Sequence, residues 1–481
     1  MKYAALLILL IMAESLFSQD TDSLRKKLHA EVLPNSSDTV FTGTISVYEN
    51  RETNQGRRID LYIVLIPALK KSAPATPIFY IEGGPGVAAA SPFNISFYSD
   101  PASGYRNHDV VLVDIRGTGK SNPLNCMSLQ VKANLQDQFD EMYPAEAVKE
   151  CYNELSKHAD LTQYTTPNVV KDLEDVRKFL GYKKIGLFGL SYGTRVCLVY
   201  MKMFPESIES CVLWSPVPSY AHMPLYHARF AQNTLDSLFT ECERDSLCHA
   251  AFPNLRYEFN DLMQKGKRGP FEVEHADAGG RQEPLKISWD AYETELRFLM
   301  YSPAGLRSLP YVIHQSYLGN FEPFLALFPE GPDTSTAIAE GLYLCVTCTE
   351  DVPFIKDREI DSLTRGTFIG TYRIDQQKSA CRNWTRGKIP DDYFTPTSAG
   401  IPTLIFSGGM DPVTPYSNAE EIASHLPHSS IVYIPAMSHM FDGLNHPECF
   451  DQTVIDFFDH PTDHVNADCV QGMTPPDFKV K

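Results

Sequence analysis

The sequence predicts an α/β protein: one mainly parallel sheet with helices on both faces and a large, mostly helical insertion. Three observations carry this. Short apolar runs of strand type alternate with helix-like stretches, the pattern of parallel strands joined by helical crossovers. The run Ile185–Phe188 passes through Gly189-Leu190-Ser191-Tyr192-Gly193 straight into the helix-like Arg195–Met203. Several apolar runs end in polar or glycine-rich loops, where functional groups gather in such sheets.

In chain order, Met1–Ser18 reads as a signal peptide. Lys2 makes a positive start, Tyr3–Ala13 is apolar, and Glu14–Ser18 supplies a cleavage region. The stretch is shorter than the roughly 18 apolar residues a membrane span requires, and no later run reaches that length. The reading is an exported protein, periplasmic or extracellular. Thr39–Tyr48 and Ile59–Pro67 look like two opening strands joined by NRETNQG. Pro77–Ile81 (PIFYI) and Val110–Val113 (VVLV) are compact buried strands, ending in Glu82-Gly83-Gly84-Pro85-Gly86 and Asp114-Ile115-Arg116-Gly117-Thr118-Gly119. Helical stretches at Met142–Ser156 and Val169–Leu180 precede the Ile185 strand, and Ser210–Trp214 follows its helix.

After Ser215-Pro216 the rhythm changes. Residues 217–390 are aromatic and mostly helical in pattern, and read as a cap inserted between two parts of the core, 19–216 and 391–481. The sheet resumes at Pro402–Ser407, followed by Gly408-Gly409-Met410-Asp411. It ends at Ile431–Ile434, followed by Pro435-Ala436-Met437-Ser438-His439.

The 481 residues are 43% hydrophobic and 21% charged, which excludes wholesale disorder, and can bury a large core. The net charge of −18, with no dense Lys/Arg run, argues against a nucleic-acid surface. Eleven cysteines in an exported chain invite disulfides. Local spacing favours Cys242 with Cys248, Cys126 with Cys151 and Cys449 with Cys469, although counting alone leaves connectivity open. Cys197 and Cys211 read as buried thiols.

Strand, G-x-S-x-G, helix is the context of a nucleophile elbow. Ser191 must sit on a strained turn, so small residues are required at 189 and 193. The Tyr192 N–H is then free at a helix N-terminus, where a developing oxyanion is stabilised. A base and an acid are needed, and Asp411 and His439 each follow a predicted strand. The order Ser191, Asp411, His439 is that of α/β-hydrolases. His439 would take the serine proton, and Asp411 would fix the imidazole tautomer. His446 and Asp442 lie farther from a strand end, and Asp114 comes too early in the order. Gly83-Gly84-Pro85-Gly86 follows the strand where this fold supplies its second oxyanion donor, assigned here to the Gly84 N–H beside that of Tyr192.

GGPG, DIRGTGKS at 114–121, GLSYGTR at the elbow and GGMDPVTP around the acid resemble the proline iminopeptidase and tripeptidyl aminopeptidase family of serine exopeptidases. In the insertion, CERDSLC, CTEDVPF and CRNW are similar to its secreted, tripeptidyl-aminopeptidase-like branch. The resemblance implies an α/β-hydrolase fold and cleavage of short peptides from a free N-terminus. It implies no metal or organic cofactor. It also implies the pairs Cys126–Cys151, Cys242–Cys248, Cys348–Cys381 and Cys449–Cys469, leaving Cys197, Cys211 and Cys345 as thiols. Two positions depart from the family pattern: Glu82 stands where proline iminopeptidases carry His, and Met440 follows the catalytic His where many members have Gly.

An aminopeptidase must offer a carboxylate to the ammonium that loses its water on entry. Glu350 and Asp351 are the candidates, on a short acidic segment that the Cys348–Cys381 bridge would hold. The rival within hydrolases is a carboxylesterase or lipase using the same triad. The residues carry no reading of oligomeric state.

Overall fold

The computed structural model describes residues 27–33, 38–69, 76–276, 279–329 and 337–481. The expected signal peptide, 1–18, lies outside these residues. Among them, eleven strands form: β1 (His29–Val32), β2 (Thr39–Tyr48), β3 (Arg58–Ile66), β4 (Ile78–Ile81), β5 (Val110–Val113), β6 (Ile185–Leu190), β7 (Ile208–Trp214), β8 (Phe271–Ala276), β9 (Gln282–Ile287), β10 (Thr403–Gly408) and β11 (Ser429–Ile434). Nine make one sheet in the order β1-β2-β3-β5-β4-β6-β7-β10-β11, and β8 pairs only with β9. The pairs β1–β2, β2–β3 and β3–β5 are antiparallel. Every later neighbour pair in the main sheet is parallel.

The central strands β4, β5, β6 and β10 are buried along their whole length, which is why they read as unbroken apolar runs. At the edge, β11 alternates, and Tyr433 faces solvent. On one face pack α1 (Thr166–Leu180) and α2 (Tyr192–Met203), through Val169, Leu173, Val176, Val196 and Tyr200. Between the two runs of the sheet lie α3 (His227–Arg244), α4 (Trp289–Leu299), α5 (Glu340–Glu350) and α6 (Tyr372–Arg382). α3 and α4 build a separate apolar cluster around Leu235, Leu238, Tyr292 and Leu296, whereas Leu342, Leu344 and Val346 of α5 join the sheet-side cluster. The opposite face is covered by α7 (Glu448–Asp459), whose Phe450, Val454 and Phe458 meet Phe188, Val212 and Phe406.

Three details differ from the sequence reading. β1 (HAEV) is exposed throughout and carries no apolar alternation; only pairing with β2 makes it a strand. α1 starts three residues early because Pro167 suits a first helical turn. The β8–β9 hairpin interrupts the helical insertion, its short alternating strands being half exposed and hence weakly apolar.

Cys126–Cys151, Cys242–Cys248, Cys348–Cys381 and Cys449–Cys469 lie at bonding geometry, with Cα separations of 5.1, 5.1, 5.1 and 5.8 Å. Cys197, Cys211 and Cys345 are unpaired and buried. Alkylation of the denatured, unreduced protein is therefore expected to label three of the eleven cysteines. Labelling of all eleven would contradict the pairing. Among the described residues, no helix is long and apolar enough to cross a membrane.

Candidate active site

Ser191 joins β6 to α2 with φ 53° and ψ −117°, a left-handed conformation that a non-glycine residue adopts only under constraint. Its N–H donates to Trp214 O at 2.9 Å, and its carbonyl accepts from Thr194 N at 2.9 Å. The flanking glycines are required by close approach. A Cβ at Gly189 would lie 2.6 Å from the Gly193 carbonyl, and one at Gly193 would lie 2.1 Å from Ile81 O. The second obstacle is the end of β4, so the turn is wedged against its neighbouring strand.

That same strand end delivers the glycine-rich loop. A Cβ at Gly83 would stand 3.1 Å from Ser191 Cβ, and Gly84 has φ +110°, open to glycine. Glu82 pins the loop. Its Oε1 accepts from Asn94 Nδ2 at 2.8 Å and from Tyr80 OH at 3.2 Å. Its Oε2 accepts from Gly83 N at 3.0 Å, so the Gly83 amide is already engaged.

Asp411 and His439 come together from the ends of β10 and β11. His439 Nδ1 lies 2.9 Å from Asp411 Oδ2. Asp411 Oδ1 accepts from Val413 N at 2.7 Å and Thr414 N at 2.9 Å, and Thr414 Oγ1 donates to Oδ2 at 2.8 Å. Burial pushes this carboxyl up, but the charge and hydrogen bond of His439 and the Thr414 donors outweigh it and leave it below the ordinary aspartate value. Both residues are buried. The loops are stitched by Gly409 N to Ile434 O at 3.1 Å and Met410 N to Met437 O at 3.0 Å. Past α4, the Tyr301 ring packs edge-on against His439 at 5.1 Å, and Tyr301 O accepts from Met440 N at 2.8 Å.

Ser191, Tyr192, Gly83, Gly84, Thr414 and His439 line one cavity of about 700 Å³. Hydrogen bonding joins His439 to Asp411; among the described residues none joins Ser191 to His439, a contact that unliganded serine hydrolases often leave long. The alternatives fall elsewhere. His446 is exposed beside Glu448 at 3.1 Å, Asp442 is exposed, and Asp114 holds Ala90 N and Lys120 N at 2.9 Å each.

Glu350 and Asp351 are not free carboxylates. Glu350 is fully buried and does not reach the cavity. Its oxygens accept from Thr166 N at 2.6 Å, Thr166 Oγ1 at 2.7 Å and Tyr393 OH. Thr166 Oγ1 in turn meets Tyr192 OH at 2.8 Å, so Glu350 braces the elbow helix from behind. Asp351 reaches the cavity wall, but both its oxygens hold the Arg195 guanidinium at 3.0 Å. The cavity instead presents Glu295 of α4, for which no hydrogen bond or ion pair is found among the described residues. Burial pushes its carboxyl up to about 7. Thr414 was missed by the sequence reading, although the D-x-x-T spacing after Asp411 is a local signal for it. Glu295 and Tyr301 had no local signal.

Two family models match the chain: one described as alpha/beta hydrolase fold over residues 76–242, which contain Ser191, and one described as TAP-like protein over residues 366–469, which contain Asp411 and His439. The chain is 24% identical over 425 residues to the serine protease Hip1 of Mycobacterium tuberculosis, covering 82% of this chain and 78% of that protein. It is 26% identical over 431 residues to the tripeptidyl aminopeptidase of Streptomyces coelicolor, covering 83% and 77%. Over 140 residues it is 29% identical to the proline iminopeptidase of Neisseria gonorrhoeae, covering 28% and 31%. The chain has the α/β-hydrolase fold, its carboxy-terminal part is similar to TAP-like proteins, and it is a serine hydrolase.

Proposed function

We propose that this protein is an exported serine exopeptidase, an aminopeptidase that cleaves short peptides from a free N-terminus. The observation that carries the reading is an unpaired, half-buried carboxylate, Glu295, in the wall of the cavity that also holds Ser191 and His439. An ester acyl group has no use for such a carboxylate, whereas a peptide ammonium that loses water on entering the cavity requires one. The names of the relatives agree with a peptidase. The four cysteine pairs agree with an oxidising compartment.

In this mechanism Ser191 Oγ attacks the scissile carbonyl carbon while His439 Nε2 takes its proton. Nε2 is the nitrogen left available because Nδ1 faces Asp411. The oxyanion sits on the Gly84 and Tyr192 amides, each donor supplying about 3–4 kcal/mol of transition-state stabilisation. With Gly83 N–H held by Glu82, Gly84 is the loop amide left for this task. Collapse breaks the C–N bond, and His439 gives its proton to the leaving amine. Water, deprotonated by the same imidazole, then attacks the acyl carbon, and the N-terminal fragment leaves as an acid while the proton returns from His439 to Ser191 Oγ.

The test compares a short peptide anilide bearing a free amine with its acetylated twin and with a simple p-nitrophenyl ester. A free-amine preference of about a hundredfold, roughly 2.7 kcal/mol, is expected. Glu295→Gln should shrink that preference. Equal rates on the two anilides, with much faster ester cleavage, would instead identify a carboxylesterase.

A further inference from the structure

The cavity wall also carries a group of opposite charge that has no ion-pair partner among the described residues. Arg373, on α6, lines the cavity; its Nη2 donates to Tyr343 OH at 3.0 Å, and among the described residues its Nη1 meets only the Met142 sulfur at 3.5 Å and its buried Nε has no partner. His227, at the start of α3, also lines the cavity, with 6% exposure and an unpartnered Nδ1. Arg297 of α4 is 2% exposed, and none of its three guanidinium nitrogens finds a hydrogen-bond partner among the described residues. Its guanidinium lies 5.3 Å from the Tyr301 ring, which itself packs against His439. Neither arginine has a carboxylate within ion-pair distance among the described residues.

The nearby acids do not cancel these charges. Glu340 lines the same cavity but accepts from Tyr143 OH at 3.2 Å, and burial pushes its carboxyl up. Glu293, one turn before Arg297, is fully buried with both oxygens unpartnered, and burial pushes it well up, towards the neutral acid. Burial, reinforced by the charges of Arg297, Arg373 and His439, pushes His227 well down, so it stays neutral. Among the described residues, two guanidinium groups therefore stand near the reacting centre without a carboxylate at ion-pair distance. Leaving a buried charge uncompensated is strongly unfavourable, unless a ligand completes the pair.

We propose that Arg373, with His227 beside it and the buried Arg297 in support, forms a carboxylate subsite that binds a negative group of the peptide. The proposal rests on the peptidase reading and adds to it. With Glu295 reading the ammonium, the cavity takes a zwitterionic or acidic short peptide. The carboxylate comes either from the peptide's C-terminus, which would limit substrate length, or from an Asp or Glu side chain. Guanidinium suits either, because its planar donors match two carboxylate oxygens.

The experiment measures kcat/KM on free-amine peptides in matched pairs: C-terminal acid against amide, and an internal Glu against Gln. Wild-type protein is expected to prefer the carboxylate member of one pair by about tenfold or more. The pair that responds identifies the source. In Arg373→Gln the ratio is expected to fall to within about twofold, with Arg373→Lys retaining part of it. Calorimetric binding of the same pairs to Ser191→Ala protein gives the affinities without turnover and should repeat the order. Equal rates within both pairs in the wild-type protein overturn the subsite. So does a preference that survives unchanged in Arg373→Gln, or a loss that falls equally on both members of a pair. Should Arg373→Gln fail to fold, the wild-type ratios and Arg373→Lys decide. Equal rates within both pairs, with the free-amine preference intact, would remove the subsite and leave the aminopeptidase. A carboxylate preference without any free-amine preference would do the reverse.

Discussion

Ser191→Ala is expected to lower kcat on the best peptide substrate by about 10⁴-fold or more and to abolish labelling by a fluorophosphonate. The effect is large because the acyl-enzyme route passes through this one oxygen. Water held in the same cavity would lack both the attack geometry and the covalent intermediate. Folding should barely change. The alanine keeps the positive φ of the elbow, and Ser191 Oγ makes no hydrogen bond among the described residues, so a stability change within about 1 kcal/mol is expected in a denaturant titration. A variant that still labelled would put the nucleophile at another residue.

The second large effect is expected from Asp411→Asn, a loss in kcat of about 10³–10⁴ with a smaller change in KM. The asparagine would keep the Val413 and Thr414 amide contacts to Oδ1. Opposite His439 Nδ1, however, it offers no charge to balance an imidazolium and can turn an N–H donor towards the ring, selecting the wrong tautomer. The change also alters acid stability. The folded Asp411 carboxyl lies below its ordinary value, so its contribution is present above the unfolded aspartate pKa and is lost as pH falls through the folded one. Wild-type stability should consequently fall more steeply with acidification than that of Asp411→Asn, measured as melting temperature from pH 6 downward. Parallel curves, or activity above about a tenth of wild type, would assign the acid elsewhere.

How far the sequence reaches depends on the range of the interaction. The strands of the main sheet were legible wherever both faces are buried, because IFYI, VVLV and IGLFGL have no polar residue to interrupt them. β1 and the β8–β9 hairpin were not legible, since their strand character comes from partners and not from their own apolarity. The elbow was legible for a local reason. Gly189 and Gly193 are imposed by contacts a Cβ cannot survive, and such constraints leave a mark at a fixed spacing. Asp411 and His439 were legible because each follows directly from a strand end.

What surrounds them was decided only by tertiary structure. Glu350 and Asp351 were read as alternative partners for the ammonium, yet one turns into the core to Thr166 and Tyr393 while the other turns to Arg195. Adjacent residues at a helix end point in different directions, and sequence cannot say which meets a buried partner. Glu295, Arg373 and His227 converge on the cavity from three helices far apart in the chain, with no spacing to announce them. Short-range sterics and strand ends were therefore written in the sequence of this protein. The charges facing its cavity were set by packing over long range, which only the folded chain brings about.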